Sequence, residues 1–363
     1  MKKIQALLVL VLSISLFVAS PSFAADKSLD RYLVEDVSYE HSAYKELSHF
    51  LFADIIDGNV TVEKYEEDGE IYEYTSVALN PQKQITRAQF TKILVNALNL
   101  EAGNIKKTFS DVKSSSWYYE FVQIASSNGI IQGKKDGTFK PNDKITRAQM
   151  ASMIYRAFEN TVDFSAEGKT FKDVSIQNGA YDAIVKVAGA GIVKGYGDEF
   201  RPAKYAIRSH AVLMIDRAMH LEAGNAEEEE TILAVVEKNI TEEIQLVSGT
   251  IDVNALDKLY RDTTTGYLLA SSLEGNLLFT DPELEFSATL KQIGTHTTSL
   301  ASLNKRFASV KIDNLVVKVT MSDSDMEFSM NVDISGTAYL KKMADGSWKI
   351  YHVEFDDEDL NLQ

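Results

Sequence analysis

The chain has 363 residues, 45% of them apolar and 25% charged, with no cysteine and a formal net charge of −16. The lack of cysteine excludes a disulfide framework, thiolate catalysis and cysteine-ligated metal. The acidity argues against nucleic acid or an anionic membrane as partner, and it is concentrated late: from Ala226 onward 25 Asp and Glu face 11 Lys and Arg.

In chain order, residues 1–24 read as a signal peptide. Lys2 and Lys3 precede an apolar run from Ile4 to Val18, and Ser22-Phe23-Ala24 offers small residues at the cleavage positions. The run is short for a membrane span and no other stretch approaches that length. The expectation is an exported chain with no membrane insertion after cleavage.

From Leu33 a unit recurs. It opens with Leu33-Val-Glu-Asp-Val37, then Thr108-Phe-Ser-Asp-Val112, then Thr170-Phe-Lys-Asp-Val174. Each opening precedes a tyrosine at the start of a first helix: Tyr44, Tyr119 and Tyr181. That helix ends in an apolar pair and a glycine, Ile55-Ile56-Asp-Gly58, Ile130-Ile131-Gln-Gly133 and Ile192-Val193-Lys-Gly195. A Pro turn and a second helix follow. In the middle unit Thr146 is set as N-cap with Gln149 three positions on, a reciprocal capping box, and Ile145 with Met150 makes a hydrophobic staple. Met150, Met153, Ile154, Ala157 and Phe158 then form one apolar stripe. The same device appears at Ile85-Thr-Arg-Ala-Gln-Phe90 and, without the cap, at Ala206-Ile-Arg-Ser-His-Ala211. In every copy an arginine, Arg87, Arg147 or Arg208, stands first in the helix and is expected to point off its end. The first unit carries 15 extra positions within residues 59–78, whose alternation around Glu67-Asp-Gly69 predicts a surface hairpin.

These motifs resemble the S-layer homology family over Leu33 to Leu221. The Phe-x-Asp-Val opening, the Gly-Ile-Ile-x-Gly run, the Asp-Gly-Thr-Phe-x-Pro turn and the Ile-Thr-Arg-Ala-Gln cap follow one another in the middle unit; Gln89 and Gln149 depart from the family's usual Glu. The resemblance implies three repeats (33–102, 108–163 and 170–221) forming a pseudo-threefold bundle. It also implies anchorage to a Gram-positive-type cell wall through secondary cell-wall polysaccharide, often carrying a pyruvate ketal on N-acetylmannosamine. A ketal carboxylate suits a guanidinium, and a helix N-terminus adds N–H groups and positive dipole. Arg87, Arg147 and Arg208 are therefore the candidate anion ligands. Trp117, Tyr44, Tyr119 and Tyr181 are candidate sugar-stacking residues. Gly133 and Gly195 are points where backbone could approach a sugar. Asp36, Asp111 and Asp173 are expected to cap a helix or brace a loop. One of the three grooves is expected to carry no ligand, since the first unit has the insertion and the third has lost the cap.

The remaining residues, 226–363, open on Glu227–Glu230 and a helix striped by Ile232, Val235, Val236, Ile240, Ile244 and Val247. A second helical stretch lies near Val253–Tyr260. From about Leu284 the period becomes two: Phe286, Ala288 and Leu290; Val310 and Ile312; Val316, Val317 and Val319; then Phe328 through Ile334, continuing into Ala338 and Leu340. A last strand, Trp348–Phe355, follows the turn at Ala344-Asp-Gly346. The fold class expected is multidomain: an all-α-rich helix-loop-helix triple repeat, then an α+β domain with a curved antiparallel sheet. The final hairpin resembles that of nuclear-transport-factor-2-like domains, which serve as enzymes, ligand binders or dimerisation modules. No nucleophile elbow, zinc-protease motif or phosphate loop occurs, so no catalytic residue, metal or cofactor is assigned. His352 is placed on the strand face of Ile350 and Trp348, and Ser322-Asp-Ser-Asp325 is read as an exposed turn rather than a calcium loop. The function expected is a non-enzymatic wall-bound surface protein displaying a ligand- or protein-binding domain. An exported enzyme targeted by its repeats, or an S-layer assembly component, are the alternatives.

Overall fold

A computed structural model describes residues 27–67, 70–104, 107–248, 251–277, 279, 287–322 and 327–357. The signal peptide expected at 1–24, hairpin residues 68–69, Phe286 and Asp323–Asp325 lie outside these. Among the described residues the first part is helical and the later part carries antiparallel sheets.

Six helices come in pairs: α1 (Tyr44–Phe52) with α2 (Arg87–Ala97), α3 (Tyr119–Ser127) with α4 (Arg147–Phe158), and α5 (Tyr181–Gly189) with α6 (Arg208–His220). The first pair is interrupted by the expected hairpin, β1 (Asn59–Glu67) against β2 (Glu70–Ala78), in register from Asn59↔Ala78. The starts of α2 and α4 follow from their capping boxes. Thr86 Oγ1 accepts from the Gln89 amide at 3.2 Å, and Gln89 Oε1 accepts from the Thr86 amide at 2.9 Å. Thr146 and Gln149 repeat this at 3.3 and 3.1 Å, and Ile145 and Met150 are fully buried beneath them. Helix α6 has Ile207 at its N-cap position and no side-chain cap.

All three starts, capped or not, exchange backbone groups between units. The Ile85 amide donates to the Ala206 carbonyl, the Ala206 amide to Ile145 and the Ile145 amide to Ile85, at 3.2, 2.9 and 3.1 Å. The three helix starts thus close a ring. The first two amides of each second helix donate to the Pro turn of another unit. Arg87 and Ala88 donate to Asp143 and Pro141, Arg147 and Ala148 to Lys204 and Pro202, Arg208 and Ser209 to Lys83 and Pro81. Each turn is braced by the aspartate of its own unit. Asp36 accepts from the amides of Leu79 and Asn80, Asp111 from Phe139 and Lys140, and Asp173 from Phe200 and Arg201. The second residue of each pair has positive φ, 52° at Asn80, 61° at Lys140 and 60° at Arg201, so one turn geometry is used three times.

The later part begins with α7 (Glu229–Val247), α8 (Val253–Thr263) and α9 (Gly266–Leu277). Seven strands follow: β3 (Ser287–Ile293), β4 (Thr297–Leu303), β5 (Phe307–Asp313), β6 (Val316–Ser322), β7 (Glu327–Asp333), β8 (Gly336–Lys342) and β9 (Trp348–Phe355). They form sheets ordered β3-β6-β7 and β4-β5-β8-β9, antiparallel throughout. Ile232, Val236 and Ile240 of α7 cover one face of the larger sheet at Val310, Ile312, Ala338, Leu340 and Ile350.

The other face meets the helical units. Tyr351 joins their apolar core, with Phe307 and Tyr339 packed against it. Arg306 donates through Nε to Glu222 at 2.9 Å and through Nη1 to the Leu98 carbonyl at 2.6 Å, at the end of α2. Lys341, also buried, donates to the Ala53 carbonyl at the end of α1, at 2.8 Å. Cations at helix C-termini are favoured by the dipole and by unpaired carbonyls.

Three expectations change here. His352 does not share the face of Ile350 and Trp348. Leu340 pairs with Ile350 but Tyr339 pairs with His352, so a bulge at Tyr351 carries His352 to the opposite face. There it stacks on Tyr339, with centroids 5.9 Å apart, beside His49 and Phe52. The run from Phe328 to Leu340 is two strands, split at Ile334–Ser335. Helix α9 and strand β4 are additions the sequence reading did not contain.

Candidate functional site

The three arginines at the helix starts do not stand free. Arg87 is 8% exposed and Arg147 5%. Arg87 Nε donates to the Phe139 carbonyl at 2.9 Å, and its guanidinium lies 4.7 Å over the Phe139 ring. Arg147 does the same with Phe200, at 2.8 Å and 4.7 Å, and also faces Tyr196 at 4.9 Å. The expectation of an arginine off the helix end, beside unpaired amides, is corrected. The first two amides are held by the neighbouring unit and the third by the cap threonine, so a ligand would meet guanidinium nitrogens and not the helix N-terminus. Burial lowers the pKa of all three arginines from its ordinary value, yet a guanidinium stays charged in proteins.

Among the described residues neither Arg87 nor Arg147 makes an ion pair; Asp143 and Asp111 act on Arg87, and Asp173 on Arg147, only from a distance. A buried cation without a paired carboxylate is costly, and the aromatic face and those distant carboxylates offset only part of that cost. A lysine stands over each cluster. Phe139 packs on Phe109 at 5.8 Å, and Lys107 Nζ lies 5.9 Å over Phe109. In the next unit Phe200 packs on Phe171 at 5.5 Å, under Lys169 at 5.2 Å. Gly133 and Gly195 close the same clusters. Their φ values are +74° and +73°, and a Cβ at either would stand 2.4 Å from a ring carbon of Phe109 or Phe171. The phenylalanines and lysines were missed as site residues, although both phenylalanines of each cluster lie in the recurring motifs.

The third boundary is built differently. Leu79 occupies the place of Phe139 and Phe200, as its bond to Asp36 shows. Arg208 finds no aromatic face there. Its Nη2 donates to the Asp57 carbonyl at 2.6 Å, and its Nε is buried without a partner. The Asp57 carboxylate is taken by Lys27 and Lys92, each at 2.6 Å, and is held at about 2; burial would raise it, but the two lysines outweigh that.

The aromatic candidates lie apart from these clusters. Tyr119 and Tyr181 pack on the apolar core. Tyr44 meets Tyr39 edge-on at 5.4 Å, and Trp117, 55% exposed, meets Tyr118 at 5.3 Å. The braced aspartates serve the turns: burial alone would raise Asp111 and Asp173, but the amides each accepts hold it below the usual carboxylate range. Among the described residues no group of three or more His, Asp and Glu could hold a metal ion, and no helix is long and apolar enough to cross a membrane.

The family model of the S-layer homology domain matches residues 108–151 and 170–212. An endoglucanase of Bacillus sp. (strain KSM-635) is 29% identical over 254 residues, 66% of this chain and 25% of that protein. The surface-layer 125 kDa protein of Lysinibacillus sphaericus is 28% identical over 254 residues, 68% of this chain and 20% of that protein. The chain thus spans about a quarter or less of the length of these relatives. A ketosteroid isomerase-like protein from Erwinia carotovora atroseptica aligns with 35% of this chain and 93% of its own, at 16% identity and a TM-score of 0.24. The similarity to the S-layer homology domain thus rests on two segments, which hold the second and third of the recurring units.

Proposed function

We propose that this is a secreted cell-surface protein held non-covalently to the wall, its arginines binding an acidic wall polysaccharide. The units at 33–102, 108–163 and 170–221 act as a pseudo-threefold bundle, and residues 226–363 are an α+β domain fixed to it. The observation that carries the reading is the pair Arg87 and Arg147. Each is a buried guanidinium stacked on phenylalanine, in a cluster topped by a lysine, and among the described residues it makes no ion pair with a carboxylate. A carboxylate on a sugar, such as a pyruvate ketal, would supply the missing counter-ion. The first-to-second and second-to-third boundaries are the binding grooves, and the Arg208 boundary is structural. Trp117, exposed at the edge of the middle unit, together with Tyr44, Tyr119 and Tyr181, would meet sugar only beyond the arginine clusters, where further residues of the polysaccharide could stack.

The test is co-sedimentation of the purified chain with cell walls. Binding is expected to disappear when wall polysaccharide is stripped and in the double variant Arg87→Ala/Arg147→Ala, and to survive Arg208→Ala. Undiminished sedimentation of the folded double variant, or binding to stripped walls, overturns the proposal. The endoglucanase relative motivates a second reading, with residues 226–363 catalytic. Release of reducing sugar from β-glucan by the purified chain would establish it.

A further inference from the structure

A cleft of ≈ 260 Å³ lies between the helical units and the larger sheet, away from the arginine clusters. Its walls come from α1, α6, β4, β5, β8 and β9, so it exists only where the two parts meet. Three of its walls are aromatic. Tyr339, Tyr351 and Phe307 line it, and His49 meets Tyr339 edge-on at 4.5 Å. Some of its polar groups are committed: Tyr351 Oη lies 2.8 Å from His49 Nδ1, and Tyr339 Oη donates to Glu354 at 2.7 Å.

Other groups keep unused capacity. Asn304 accepts the Arg306 and Phe307 amides through Oδ1, which leaves its NH2 for the cleft. Glu46 has no ion-pair partner among the described residues. Asp216 faces His220 at 3.5 Å, and that hydrogen-bonded pairing lifts His220 to about 9, so it is an imidazolium at neutral pH. With Lys45, which pairs with Glu354 at 3.4 Å, the lining carries two cations and two anions, so neither sign of charge is left in large excess.

We infer that this cleft binds one uncharged pyranose ring, independently of the wall-binding grooves. A sugar presents a C–H face to Tyr339, with the buried Tyr351 beneath. Its hydroxyls both donate and accept, which matches Glu46 and Asp216 on one side and Asn304, His220 and Lys45 on the other. The volume lies just under the ~300 Å³ at which drug-sized pockets begin, and so suits one ring rather than a chain. Because both parts supply the walls, the bound sugar also clamps the sheet to α1 and α6.

The probes are free glucose, galactose, mannose, N-acetylglucosamine and N-acetylmannosamine, with glucuronate and glucosamine as charged controls, titrated into the purified chain by calorimetry and ligand-observed NMR. One uncharged sugar is expected to bind more tightly than either control. Asp216→Asn and Tyr339→Ala should each weaken it at least about tenfold, the effect of losing a hydrogen bond to a charged group or a ring face. Where Tyr339→Ala does not fold, Glu46→Gln gives the same readout. Arg87→Ala/Arg147→Ala should leave this affinity unchanged, and Asp216→Asn should leave wall sedimentation unchanged, so the two proposals fail separately. Absence of binding by every uncharged sugar, preference for a charged one, indifference to Asp216→Asn, or loss in the double arginine variant overturns the inference.

Discussion

Arg147 and Arg306 are the same ion given two surroundings. Arg306, at the joint between helical units and sheet, meets the Glu222 carboxylate through two nitrogens, with Glu222 fully buried. Arg147, at a boundary between units, is at least as deeply enclosed and meets a carbonyl and two rings. One guanidinium has a carboxylate in direct contact and the other, among the described residues, does not. In the proposed function that difference is what separates an arginine that holds two parts together from one that meets a ligand.

The largest effect that would test this contrast is at the joint. Arg306→Ala strands Glu222 as an unpaired buried charge and should cost about 3–5 kcal/mol in urea unfolding. A loss no greater than that of a surface arginine would break the comparison. The next is pH. His49 and His352 are pushed down to about 3 and about 4, chiefly by burial, with Lys45 nearby and, for His49, His352 itself also opposing protonation. Groups depressed in the folded state stabilise it fully above their ordinary value of 6.5 and lose that contribution as pH falls toward 4. The slope is at most about 1.4 kcal/mol per pH unit for each histidine. His220 runs the other way: raised to about 9, it contributes fully below 6.5 and loses its share as pH rises through 9. Thermal melts from pH 4 to 9 should therefore peak near neutrality, and His49→Phe should flatten the acid limb. The arginine boundaries contribute no slope in that window.

Smaller effects sharpen the boundary side. Arg147→Ala should cost about 2 kcal/mol in folding, from one charge-assisted hydrogen bond and its ring contacts, while Arg208→Ala, with its orphaned Nε, costs less. Smallest are the caps. Thr146→Ala should lose about 1 kcal/mol, and Ile207→Thr should gain up to about 1 kcal/mol by giving α6 the cap it lacks. Both are read from urea midpoints.

The second helices of the units were legible because their determinants are local. A capping box and a staple occupy six residues, and Thr146, Gln149, Ile145 and Met150 do in the fold what their spacing implies. What those starts touch was not legible, because the Pro turn that binds the Arg147 amide lies more than fifty residues away. The arginine was therefore read as free when it is enclosed. His352 shows a second limit: one extra residue at Tyr351 reverses the face of everything after it, and no pattern in Trp348–Phe355 marks that position. Helix α9 escaped because Gly266, Ala270, Ser271 and Gly275 dilute any stripe, and its first residue, at φ +58°, has no room for a Cβ beside the Phe52 carbonyl. Strand β4, Thr297–Leu303, is mostly hydroxyl-bearing and half exposed, and becomes a strand by pairing with β5.

The ring of amides through Ile85, Ile145 and Ala206 makes the three units depend on one another. Taken alone, the opening unit leaves the Ile85 amide and the Pro81 and Lys83 carbonyls unmatched, since their partners are Ala206, Ser209 and Arg208. None of the three helix starts has all its backbone partners until the third unit is in place, so the first two units are fragments without it.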